Sequence, residues 1–87
     1  MNKIKVLIAD DHSMVRQGLK QILELEDDIR VIAQASNGDE AIKIAKQFKP
    51  DVILMDINMP VMNGLQAIRE LKKEGSSYKI IVLTIHQ

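Results

Sequence analysis

Ile4 to Ala9 is a nearly continuous, β-branched apolar run that stops at Asp10-Asp11, the pattern of a strand buried on both faces of a parallel sheet. After Ser13, read as an N-cap, apolar residues recur at Val15, Leu19, Ile22 and Leu23, the spacing of one helical face, with Arg16, Lys20 and Glu24 on the other sides. Asp27-Asp28 closes that helix, and the less apolar stretch Arg30 to Ala35 predicts a second strand suited to a sheet edge. Asn37-Gly38-Asp39 is a turn with a helix-capping residue, followed by a second stripe at Ala41, Ile44, Ala45 and Phe48 that Pro50 ends. Val52 to Met55 is again continuously apolar and again runs into an acid, Asp56. Residues 57–63 form a loop; Leu65, Ile68 and Leu71 mark a third helix; Gly75 stands where a C-cap would. Ile80 to Leu83 predicts a fourth buried strand ending at Thr84.

Strands alternating with helices read as successive βαβ units, hence one α/β domain with a parallel sheet and helices on both faces. In the flavodoxin-like doubly wound order, 2-1-3-4, the crevice lies between the carboxyl ends of the first and third strands. Those are the strands that end in Asp10-Asp11 and Asp56.

With 87 residues the chain is near the lower size limit for a self-sufficient core. One Tyr and one Phe leave the interior to aliphatic side chains and offer no aromatic platform for nucleic-acid bases. Twelve basic and twelve acidic side chains cancel, so no net field draws this segment to nucleic acid or anionic lipid. There is no Cys, which excludes disulfides and thiolate metal sites and fits a cytoplasmic location. Val6 to Ala9 is far shorter than a signal-peptide core, and no segment approaches membrane-spanning length.

Taken singly, each acid reads as an ordinary solvated loop aspartate. Taken together they repel: two unit charges ~5 Å apart cost roughly 3 kcal/mol at an effective dielectric near 20. Three such pairs approach the whole stability of a small domain. Protonation or a cation must relieve that cost, and carboxylates with carbonyl oxygens are the ligands that Mg²⁺ prefers. A carboxylate held beside Mg²⁺ can attack phosphorus, because the metal neutralises the incoming phosphoryl oxygens; the product is an aspartyl phosphate.

Asp10-Asp11 after the first strand, Asp56-Ile57-Asn58-Met59-Pro60 after the third, Gly64, and Thr84 after the fourth occur in the order found in the receiver, or response-regulator, family of two-component signalling, which this sequence resembles along its whole length. The wording Asp10-Asp11-His12 with Val15-Arg16, and Leu83-Thr84-Ile85-His86, is most similar to the subfamily whose output is a LuxR-type helix-turn-helix. The resemblance implies that Asp56 takes a phosphoryl group from a phosphohistidine on a sensor histidine kinase. It implies that Asp11, Asp56 and the backbone carbonyl of Asn58 bind Mg²⁺ directly and that Asp10 helps through water. Thr84 would contact the phosphoryl oxygen; the plain alternative is a strand-terminal Thr suited to β structure. Pro60 and Gly64 read as shaping the loop, Met14, Met59 and Met62 as packing residues, and His12 and His86 as ordinary surface or packing residues.

A whole receiver continues with another helix, a fifth strand carrying a lysine that contacts the phosphoryl group, and a last helix, whereas this sequence stops at Gln87. The expectation for residues 1–87 is therefore a receiver domain incomplete at its C-terminus, whose fourth strand, with Ile80, Val82 and Leu83, is left open to self-association as a homo-oligomer. Two other classes compete. A haloacid-dehalogenase-type aspartyl-phosphate phosphatase needs a second acid two residues after its nucleophile, where this chain has Asn58. A flavin-binding module needs a phosphate-accepting first loop, which Asp10-Asp11 would repel. An inactive structural fragment is the last alternative.

Overall fold

The elements are β1 (Ile4–Ala9), α1 (Ser13–Leu23), β2 (Ile29–Ala35), α2 (Gly38–Phe48), β3 (Val52–Asp56), α3 (Gly64–Lys73) and β4 (Lys79–Leu83). They are drawn from a computed structural model that describes residues 3–59, 62–73 and 78–83. All strand pairs are parallel, in the order β2-β1-β3-β4, the flavodoxin-like order expected from the alternation of elements.

Alternation along each strand divides the core between the two faces of the sheet. Leu7, Ala9, Ile53 and Met55 face α2 and α3, joined by Ala41, Ala45, Ala67 and Leu71, and this is the larger cluster. Val6, Ile8, Val31 and Leu54 face the other way, packed by Leu19 and Leu23 of α1. β2 carries an irregularity opposite Val6 and Leu7, where its register advances by one residue. On this edge strand the Val31 N–H donates to the Glu24 carboxylate at 3.0 Å.

Four expectations are corrected. Ser13 is the first residue of α1 rather than its cap; His12 occupies the N-cap position, with extended φ and ψ and no side-chain cap bond. β4 is not buried: Ile81 is 52% and Val82 44% exposed, because β3 is its only strand neighbour among the described residues. Met14 is exposed rather than packed, as is Ile22 in the expected apolar stripe of α1, a helix with no buried residue. Met59 is buried, and Met62 packs against the larger cluster, as expected of both.

α2 is capped by Asn37, whose side chain accepts from the Glu40 N–H at 2.9 Å, while Glu40 accepts from the Ser36 N–H and hydroxyl, each at 2.8 Å. These bonds satisfy donors that a helix start leaves orphaned. α3 is started by the reciprocal pair Asn63 and Gln66. The Gly38 N–H donates to the Met62 carbonyl at 2.8 Å, which ties the first residue of α2 to the loop after β3.

Candidate functional site

The carboxyl ends of β1 and β3 are adjacent in the sheet, so the residues that follow them share one rim. Asp10 is held there from two sides: its N–H donates to the Ala35 carbonyl at 3.0 Å, and its own carbonyl accepts from Arg16 Nη1 at 2.5 Å. Arg16 also donates through Nε to Gln34 Oε1 at 3.2 Å, bridging α1 to β2. Asp56 ends β3 and is 4% exposed. Its Oδ1 accepts from the Asn58 N–H at 3.0 Å, which folds the loop back over the acid. α3 can begin this close only because residue 64 has no side chain: a Cβ there would overlap the Asp56 carbonyl oxygen and lie 2.7 Å from Ile57 Cα.

Asp10, Asp11 and Asp56 converge as expected, and His12 joins them: one ligand atom from each of the four lies within 4.8 Å of the others. Asp10 Oδ1 accepts from the His12 N–H at 2.7 Å, and His12 Nδ1 stands 3.0 Å from both Asp10 Oδ1 and Asp11 Oδ1. Asp10 Oδ2 is buried without a partner. An orphaned anionic oxygen in a fully buried side chain is costly unless a cation completes it, so the donor set fits a divalent ion.

Burial, followed by the negative charges of Asp10 and Asp11, pushes the Asp56 carboxyl above its ordinary value, against the Asn58 N–H that favours the ionised form. The hydrogen bond to Asp10 and the charge of Asp11 hold the His12 imidazolium above its ordinary value. Negative potential in the pocket contributes to both shifts, after burial for Asp56 and after the Asp10 hydrogen bond for His12. Thr84 and Pro60 lie outside the described residues. His12 was read from sequence as an ordinary residue; its position beside the acid pair in Asp10-Asp11-His12 was the only signal available. Arg16 was placed on an outer helical side, and the bridge it makes was not foreseen.

The model of the response regulator receiver domain matches residues 6–87. The transcriptional regulatory protein LiaR of Bacillus subtilis is 51% identical over 81 residues, which is 93% of this chain and 38% of LiaR. The receiver domain of the response regulator NarL from Mycobacterium tuberculosis superposes with a TM-score of 0.94 at 29% identity, covering 100% of this chain and 70% of that one. The CheX–CheY–BeF3–Mg²⁺ complex from Borrelia burgdorferi gives 0.87 at 26% identity, covering 93% and 61%. The chain spans 36% to 40% of the length of curated relatives such as DegU of Brevibacillus brevis and the nitrate/nitrite regulator homolog of Haemophilus influenzae. Receiver domains are regulatory domains rather than classical enzymes; they bind Mg²⁺ at an acidic pocket and interact with histidine kinases and phosphatases. Since the family match runs from β1 to the last residue of the sequence and the ends of β1 and β3 carry an acidic cluster, the chain belongs to the response regulator receiver family.

Proposed function

We propose that Asp56 is the phosphoacceptor of a two-component switch and receives its phosphoryl group from a phosphohistidine of a sensor kinase. The observation that carries this reading is the buried, unpartnered Asp10 Oδ2 beside Asp56 and Asp11, a pocket built for a divalent cation next to a carboxylate. Asp11, Asp56 and the Asn58 carbonyl would hold Mg²⁺ directly, with Asp10 acting through water. Bound there, the ion supplies charge neutralisation of the phosphoryl oxygens.

This chain's own residues orient the reaction. An Asp56 oxygen forms the new O–P bond as the P–N bond to the donor imidazole breaks; the electron pair returns to that nitrogen, which then takes up a proton. The Asn58 N–H keeps one Asp56 oxygen engaged, and Gly64 admits the α3 start without displacing the acid. Thr84, next in sequence after β4, would contact the phosphoryl oxygen. With Asn58 two residues past the nucleophile there is no carboxylic acid to drive turnover, which favours a switch over a phosphatase.

The relatives are transcription regulators, so the output of the longer protein would be DNA binding through another segment, in the cytoplasm, and this segment would touch no nucleic acid. Self-association through the β4 edge belongs to the same reading. Intact-mass analysis after incubation with a small phosphodonor and Mg²⁺ tests the central claim. One phosphate should add, only with Mg²⁺ present, and none to Asp56→Asn; an adduct that survives in Asp56→Asn refutes the assignment.

A further inference from the structure

We propose that His12 is itself a metal ligand in this chain, and that the acidic pocket therefore takes a nitrogen-accepting first-row divalent ion, such as Mn²⁺ or Zn²⁺, more tightly than carboxylates alone would allow. This deepens, and rests on, the reading of the pocket as a cation site.

Three observations converge. First, the His12 side chain does not do what its position suggests. It stands at the N-cap of α1, where a side chain normally accepts a helix N–H, yet it makes no such bond and turns back over the aspartates. Second, the spacing fits coordination. Nδ1 is 3.0 Å from Asp10 Oδ1 and 3.0 Å from Asp11 Oδ1. Metal–ligand bonds of about 2.1 Å put neighbouring ligands of an octahedron roughly 3.0 Å apart. Third, the remaining oxygen of Asp10 is fully buried and unpartnered, while His12 is 52% exposed and leaves a way in for an ion from solvent.

Nδ1 stands at this spacing from each of two carboxylate oxygens, and two carboxylates facing one nitrogen need something positive between them, a proton on Nδ1 or a cation. A proton on Nδ1 lies along one N–O line at a time, whereas a cation can bind Nδ1 and Asp11 directly and engage Asp10 through water. An imidazole in the set changes the choice of ion. Nitrogen suits transition metals, and affinity rises along the first-row series, while Mg²⁺ gains little from exchanging water for imidazole.

Calorimetric titration with MgCl₂, MnCl₂ and ZnCl₂ at one mildly alkaline pH, on the parent chain and on His12→Ala, tests this. Zn²⁺ and Mn²⁺ should bind about tenfold or more weakly to the variant, with Mg²⁺ affinity changed less than roughly threefold. Zn²⁺ exceeds Mg²⁺ at almost any site, so only the part of the preference lost with the imidazole counts. A second readout needs no variant: on adding Zn²⁺, the Nδ1 resonance of His12 should shift while that of His86 stays put. Equal weakening of all three ions, no weakening of any, or an unshifted His12 resonance overturns the proposal and leaves His12 as a hydrogen-bond donor to two carboxylates. Those outcomes leave Mg²⁺ binding by the parent chain, and the site reading, intact. Failure of every ion to bind the parent would overturn both this inference and the site reading beneath it.

Discussion

Asp56 carries its charge against burial and against two neighbouring carboxylates, so in the absence of a cation its ionisation opposes folding. Glu40 is the opposite case at the start of α2. The Ser36 backbone N–H, then the Ser36 hydroxyl, hold its carboxyl below the ordinary value of 4.5. A depressed acid contributes stability that is present above its unfolded value and lost as pH falls through its folded one. Glu40→Gln should therefore lower stability at neutral pH by a few tenths of a kcal/mol, the scale of an exposed capping interaction. It should also flatten the loss of stability below pH 4.5, and urea melts across an acidic pH series measure both effects. At this scale the sequence was legible where chemistry follows strand ends, as for Asp10, Asp11 and Asp56. It was not legible for His12 or Arg16, whose partners depend on how one side chain turns at a helix start, which no spacing encodes.

Two glycines in helices make the same letter mean opposite things. At Gly64 a Cβ would collide with the main chain of Asp56 and Ile57, so Gly64→Ala should destabilise by about 2 kcal/mol or more, because backbone cannot step aside as a side chain can. At Gly18, inside α1, a Cβ would meet nothing within 4 Å, and Gly18→Ala should stabilise by about 0.5–1 kcal/mol through helix propensity. Thermal melts of the two variants should thus move in opposite directions, and a stabilising Gly64→Ala would contradict the close packing of α3 on β3. Element existence was readable throughout, because two-residue and helical periodicities seldom conflict here. The apolar run at β4 by itself reports only what a strand could bury; its exposure followed from the expectation of an open outer side, and the exposed Ile81 and Val82 agree with that expectation.

Across the whole molecule the charges balance, so neither attraction nor repulsion between copies is built into net charge, and apolar surface decides association. That surface concentrates at Ile81 and Val82 on a strand paired along one side among the described residues. Light scattering over a concentration series should show a mass rising toward that of a dimer, and Ile81→Lys should abolish the rise; a constant monomer mass would refute association through β4. The two sheet faces are also unevenly clad: α2 and α3 bury residues against one, whereas α1 buries none against the other. A helix anchored chiefly through the half-buried Leu19 and Leu23 should open more readily than the others. Its amides should exchange with solvent through a shallow local opening, while those of β1 and β3 wait for global unfolding. Each opening withdraws the Arg16 guanidinium from the Asp10 carbonyl. Such openings would make the acidic rim intermittent, removing one of its struts on the timescale of a single helix rather than of the whole domain.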